Sequence, residues 1–406
     1  ECECNWDWDY ERECDVENVS RAGNCAMTAE KPKTPKLDIR FDCRYYTGYK
    51  PCGRHPDCNG DCPAYAPRGA EILIIKLGAM GDVLRTTPVL HILKQQYDPS
   101  YITWITDPES ECLLRHNPMV DRLLLWSPDA CLQLQAENFD LSLNFEKEYR
   151  ALALDRLVRA VEKRGFALHP ANTMGIHNAA AEYALRLGID DKIKFETNEK
   201  SMPQILVEMA GYDFDGEEYV LEIPPAARDF ADRLKDAEGL SDRLVIGLNT
   251  GCGAVFPTKQ WPRENFLRLV ELLHEKTDCA LLLLGGPRER EINGWILDHA
   301  PAGALIDTGC DNGLEDFMGI IEACDVVVSA DSLAMHLAIG RKKRTIALIG
   351  PTSATEIDLY ERGEKVISDF DCAPCYRTAC DREPFCMQAL SAEDVFRAIM
   401  NQIEDD

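Results

Sequence analysis

Between residues 244 and 350 the chain carries five short runs that are apolar almost throughout, LVIGLN, ALLLLG, ALIDT, DVVVSA and RTIALIG, and these narrow the fold more than any other feature. A strand with one face in water alternates apolar and polar residues; a run apolar on both faces belongs in a parallel sheet covered by helices. Helical spacing between the runs predicts helices over 263–276, 287–299, 313–323 and 332–340. The stretch from 72 to about 225 repeats the arrangement: ILIIKL reads as a strand, GAMGD as a glycine turn and VLRTTPVLHILKQQY as one helix, with YITWIT, RLLLW and DLSLNF as further strands. The expected class is therefore α/β with two parallel-sheet units, and at 406 residues the chain has room for both. Residues 224–242 read as a connecting helix and linker, and 391–404 as a closing helix capped by Ser391.

Composition excludes several functions. With 44 basic and 70 acidic residues the formal charge is -26, which opposes binding to phosphate backbones and to anionic lipid, so no nucleic-acid partner is expected. No apolar run approaches the ~18 residues of a membrane span. The chain opens at Glu1 with no basic-then-apolar leader, which leaves secretion unsupported, although a trimmed start is compatible with it.

Ligands of open α/β sheets bind beyond the carboxyl ends of the strands, so the loops after strands are where chemistry is sought. In KLGAMGD, Gly78 and Gly81 are read as allowing a tight turn, and Asp82 as a helix cap or a base. The loop lacks the third glycine of a dinucleotide fingerprint and the Lys-Ser or Lys-Thr pair of a P-loop. NTGCGAVFPTKQWP exposes Gly251 and Gly253 and presents Thr258 and Lys259 ahead of a helix near Pro262, a set suited to a diphosphate. LGGPRERE and SADSLAMHLAIG follow the next strands, the latter with Asp331 and Ser332 at a helix start and His336 one turn on.

Taken in order, ILIIKLGAMGDVLRTTPVL, IGLNTGCG with TKQWPRENFLRLVELL, LLLLGGPRERE and DVVVSADSLAMHLA with IALIGPT resemble the heptosyltransferase family, glycosyltransferase family 9, over residues 71–400. The resemblance implies a GT-B fold: two Rossmann-like domains facing across a cleft, acceptor at the first, nucleotide sugar at the second, and a last helix crossing back. It also implies inverting transfer of a sugar, heptose from ADP-heptose, to a lipopolysaccharide core or other cell-envelope glycan, with no cofactor required. The expected domains are 1–70, a cysteine-rich appendage; 71–225, the acceptor side; 226–390, the nucleotide-sugar side; and 391–406, the closing helix. By the same resemblance Asp82 is the general base, Lys259 with Thr258 meets the diphosphate, and Asp331, Ser332 and His336 surround the donor. The chain departs from the family at Leu333, where members commonly carry glycine. Its partners would be a nucleotide-diphosphate sugar and a glycan or glycolipid, its place the cytoplasm, with peripheral contact at the cytoplasmic face of the inner membrane. The rivals are a catalytically silent, metal-stabilised scaffold or binding protein of this fold, which would release no nucleotide diphosphate, and a GT-B nucleotide-sugar epimerase, which would need no second sugar acceptor.

Cysteine usage is unusual, with 18 residues. Cys372, Cys375, Cys380 and Cys386 are spaced as a four-thiolate metal site, zinc or iron, with disulfides the alternative. Cys43, Cys52, Cys58 and Cys62, with His55 as a spare ligand, form a looser second set, and Cys2, Cys4, Cys14 and Cys25 either a third or unpaired thiols. Cys112, Cys131, Cys252, Cys279, Cys310 and Cys324 are scattered through expected core and read as small buried hydrophobes.

Overall fold

The computed structural model describes residues 37–403, so Cys2, Cys4, Cys14, Cys25 and the last three residues expected in the closing helix lie outside the described residues. Two compact units are present, one of residues up to 65 apart from 42–45, the other of residues 42–45 and 66–406. In the first, described from residue 37, turns and bends take the place of helices, and Cys52 and Cys58 are exposed.

Among the described residues the second unit holds two six-stranded sheets. The first consists of β1 (Ala70–Ile75), β2 (Ser100–Thr106), β3 (Arg122–Leu125), β4 (Asn138–Asn144), β5 (Arg159–Leu168) and β6 (Met174–Ile176), in the order β3-β2-β1-β4-β5-β6. The second consists of β7 (Val245–Asn249), β8 (Ala280–Leu284), β9 (Ile306–Asp307), β10 (Val326–Ala330), β11 (Arg344–Ile349) and β12 (Gly363–Ile367), in the order β12-β11-β10-β7-β8-β9. Both are doubly wound, and each reverses strand order at one point, between β1 and β4 and between β7 and β10, where a crevice opens. Pairing is parallel except that β6 runs antiparallel to β5.

Two departures from the sequence-based expectation have physical causes. The single helix expected after the glycine turn is two, α1 (Met80–Thr86) and α2 (Val89–Gln96), because Pro88 lacks a backbone N–H and restricts Thr87 before it. Strands β5, β6 and β12 carry no long apolar run because much of their surface is only half-buried or exposed, and this hid them. β9 keeps only two residues of the run ALIDT.

Helices cover both faces of each sheet. α2 and α5 (Met202–Met209) pack on one face of the first, α3 (Pro128–Ala136) and α4 (Tyr149–Leu157) on the other. On the second, α7 (Arg263–Lys276), α8 (Arg290–His299) and α11 (Ala392–Ile403) share one apolar cluster, while α6 (Pro225–Glu238), α9 (Leu314–Ala323) and α10 (Leu333–Gly340) share the other. The expected linker is thus a packed helix: a Cβ on Gly319 of α9 would stand 2.5 Å from the Ala227 carbonyl of α6. The closing helix α11, which takes the Ser391 hydroxyl as acceptor for the Asp394 N–H at 3.1 Å, lies on α7, β11 and β12 of the second sheet, where it was expected to cross back to the first. Leu84 of α1 and Leu113 join the α9–α10 cluster, so the two sheets share a strip of apolar core.

Candidate active site

Strand β1 ends at Ile75, and the chain turns through Lys76–Ala79 into α1. Asp82 is the third residue of that helix, not its cap; Ala79 holds the cap position and offers no side-chain bond. The chain makes its turn here with neither Gly78 nor Gly81 in a left-handed backbone. Gly81 is required for another reason: a Cβ there would stand 2.6 Å from Cδ2 of His336. The turn is held by Glu146, just beyond β4, whose carboxylate accepts from Lys76 Nζ at 2.9 Å and from the Leu77 N–H at 3.2 Å.

On the second sheet the loop after β7 begins at Thr250 and closes in a 3-10 turn, Pro257–Lys259, before α7 starts beyond Pro262. Asn249 ties it to the switch point, donating to the Gly251 carbonyl at 2.8 Å and to Ser329 Oγ at 3.0 Å. Gly253, at φ +77°, needs the freedom glycine gives, while a Cβ on Gly251 would meet the Glu289 carboxyl at 3.2 Å. Lys259 reaches across to the end of β10, Nζ donating to the Asp331 carbonyl at 2.5 Å with the Asp331 carboxylate 3.5 Å away. Thr258, expected beside the diphosphate, donates to the Arg377 carbonyl at 2.6 Å. Ser332 is the N-cap of α10 and shares a 2.9 Å hydroxyl contact with Ser329. Leu333 packs against the α9–α10 apolar cluster, which accommodates a side chain where the family commonly has glycine.

The two sides meet at His336. Its ring is buried, with Nε2 3.6 Å from Asp331 and Nδ1 3.3 Å from the Tyr219 hydroxyl, and Gly81 lies against its edge. Arg85, one turn beyond Asp82 and ion-paired with it, feels both Asp82 and Asp331. Burial raises the Asp82 carboxyl, but Arg85 and Lys76 outweigh it and leave it below the usual range. Asp331 is likewise raised by burial and then held well below that range by the His336 hydrogen bond, Lys259 and Arg85. Burial pushes the His336 ring down despite Asp331, so the ring is neutral at pH 7. A cavity of about 190 Å³ opens beside Asp82, lined by Lys76, Arg85 and Lys147 and by apolar walls that include Phe145 and Phe166.

The structure thus brings together Asp82, Lys259, Asp331, Ser332 and His336. Arg85, Glu146, Lys147 and Tyr219 were missed. Arg85 was readable from its i+3 spacing to Asp82, and Glu146 and Lys147 from their place just after a strand; Tyr219 lies in an irregular stretch that gives no signal.

Among the described residues no three or more His, Cys, Asp or Glu side chains are arranged to hold a metal ion. Cys372, Cys375, Cys380 and Cys386 are free thiols that nonetheless feel one another: burial, then the charges of the other three, push Cys386 up to about 11. Cys43, Cys52, Cys58 and Cys62 are free as well. Of the scattered six, Cys252, Cys310 and Cys324 are buried and Cys112, Cys131 and Cys279 half-buried.

Two doubly wound sheets whose switch points bring an acid, a lysine and a histidine together have the architecture of two-domain α/β proteins that bind a ligand at those points. Residues 131–385, well over half of the chain, match the family model for glycosyltransferase family 9 (heptosyltransferase), and the chain belongs to that family. Lipopolysaccharide heptosyltransferase 1 of Campylobacter coli is 20% identical over 83% of this chain and its own full length. The family 9 glycosyl transferase of Veillonella parvula has a similar structure, with TM-score 0.66 and 18% identity over 83% of this chain and 98% of its own. The ADP-heptose lipopolysaccharide heptosyltransferase II of E. coli superposes with TM-score 0.61 at 15% identity, covering 82% and 99%. The iron-containing dodecameric glycosyltransferase TibC of enterotoxigenic E. coli gives TM-score 0.51 at 12% identity, covering 83% and 79%.

Proposed function

We propose that this glycosyltransferase moves heptose from ADP-heptose to a sugar of a lipopolysaccharide core, at the cytoplasmic face of the inner membrane. The observation that carries the reading is the meeting of Asp82, at the first switch point, with Lys259, Asp331 and His336, at the second, across the Gly81–His336 contact. Heptose as the sugar and the lipopolysaccharide core as acceptor rest on the family and on the relatives' names.

In this reading the acceptor lies in the cavity beside Asp82. Asp82, ionised because Arg85 and Lys76 outweigh its burial, takes the proton of the attacking hydroxyl as the new glycosidic bond forms and the bond to the diphosphate breaks. Attack from the face opposite the leaving group inverts the anomeric carbon. Lys259 turns from the Asp331 carbonyl to the departing diphosphate, helped by backbone N–H groups at the Ser332 cap of α10. Asp331 and neutral His336 hold the donor's hydroxyls. No metal or cofactor takes part in the transfer.

The C-terminal cysteines are proposed to take a structural zinc or iron, supported by their C-x2-C-x4-C-x5-C spacing and by the iron named for TibC; Cys43, Cys52, Cys58 and Cys62 form a second, looser candidate set. The test of function is direct. ADP at 100 times its dissociation constant should raise the unfolding free energy by about 2.7 kcal/mol. ADP-heptose with a lipopolysaccharide core acceptor should then yield ADP and a lengthened core; ADP binding without transfer to any core acceptor would sink the proposal.

A further inference from the structure

The segment between β12 and the short helix Cys386–Ala389 was marked in the sequence only for its thiols, yet it reaches the site through a different residue. Tyr376, next to Cys375, is a bulky side chain on a left-handed backbone, φ +50°, a conformation that persists only where the surroundings impose it. Its N–H and that of Cys375 both donate to the Pro351 carbonyl at 2.9 Å. Its hydroxyl accepts from the Ser353 N–H at 3.2 Å and hydrogen-bonds the buried carboxyl of Glu356.

The ring serves three partners. It meets Phe256, in the loop after β7, edge-on at 6.1 Å, and Phe195, from the turn Ile193–Thr197 beside the first sheet, at 6.1 Å. Lys194 Nζ stands 4.5 Å from its centre. The next residue, Arg377, accepts the Thr258 hydroxyl with its carbonyl. Phe256 in turn lies under Lys259, whose Nζ is 5.7 Å from that ring. Residues 376–377 therefore hold the loop that carries Thr258 and Lys259 at two points, and they do so from within the cysteine segment.

We propose that Tyr376 is a positioning residue for the donor: its ring fixes the Phe256–Lys259 stretch in the pose that meets the diphosphate, and so the cysteine segment sets donor affinity. The inference rests on the reading of Lys259 given above. It makes the thiol-rich segment part of the transfer site and gives a reason for Tyr376 to be aromatic and strained at once.

The test uses the left-handed backbone. Tyr376→Gly relieves the backbone but removes the ring with its Phe256 and Phe195 contacts and its Ser353 and Glu356 hydrogen bonds, so a structural role alone would lower the melting temperature and leave nucleotide binding by the folded variant untouched. The expected result is an intact fold with ADP binding weakened at least 10-fold by calorimetry and donor KM raised in step, kcat changing less than 3-fold. Tyr376→Phe, which keeps the ring, should stay within 3-fold of the native enzyme. A folded glycine variant binding ADP within 2-fold of the native protein overturns the inference while leaving the proposed function standing. Native protein that binds no ADP overturns both. Should the glycine variant fail to fold, Tyr376→Asn, which also tolerates a left-handed backbone, takes its place with the same two outcomes.

Discussion

At Asp82 the competition between burial and nearby cations decides how the residue works. The carboxylate is ionised at neutral pH, so in the proposed mechanism it is ready as a base, and Arg85, which with Lys76 keeps it so, would share it with the incoming hydroxyl. Asp82→Asn should keep the fold and ADP affinity and lower kcat by about 100-fold to 10,000-fold; near-native turnover would move the base elsewhere. For Lys259, a desolvated charge-assisted hydrogen bond is worth about 1.5 to 3 kcal/mol, so Lys259→Ala should weaken ADP binding by about 10-fold to 150-fold. A weak chelator, one that leaves a four-thiolate metal in place, should leave the native affinity as it is; calorimetry with and without it checks both statements. These residues were legible because strand ends and glycine loops mark where a doubly wound sheet binds. What was not legible is whom they face: Thr258 reads as a phosphate ligand in the sequence and is bonded to the Arg377 carbonyl in the fold, a contact spanning 119 positions that no local pattern announces.

Among the elements, α1 depends most on what lies opposite. Gly81→Ala would drive a methyl group to 2.6 Å from the His336 ring. Overpacking of this kind costs about 1 to 3 kcal/mol, and because the displaced ring also contacts Asp331, donor affinity should fall along with the melting temperature; a variant as stable and as tight-binding as the native protein would show that the helix gives way freely. The cysteine segment allows a separate check. If Cys372, Cys375, Cys380 and Cys386 fasten the chain ahead of α11 through a metal, protein purified under reducing conditions carries zinc or iron by elemental analysis and loses it in the Cys372→Ser, Cys375→Ser double variant; metal-free native protein removes the idea. Element by element, the central buried strands and α7 stood out in the sequence because burial on both faces, or on a regular stripe, writes itself as hydrophobic pattern. The edge strand β12 and the half-exposed β5 did not, because polar residues such as Glu364 and Lys163 interrupt them.

For the molecule as a whole, the buried charges at the junction of the two sheets set its response to acid. Asp82 and Asp331 have folded-state pKa values below their ordinary value of 3.8, so the stability they contribute is complete above that pH and is lost as pH falls through the folded values. His336 is also depressed, from 6.5, so the unfolded chain binds a proton that the folded one refuses, and stability declines as pH drops through that value. The melting temperature should therefore fall in two stages, one beginning as pH drops through about 6.5 and one below about pH 4, and His336→Asn should flatten only the first; a first stage unchanged in that variant would assign it to another group. The contact of Gly81 with His336 has one more consequence, for anyone recombining this enzyme with its relatives. Position 81 and the ring of His336 occupy one shared volume, so a second-sheet half taken from a homologue arrives with its own demand on the first-sheet half, and chimaeras cut between the sheets should fail or function according to whether positions 81 and 336 come from the same parent.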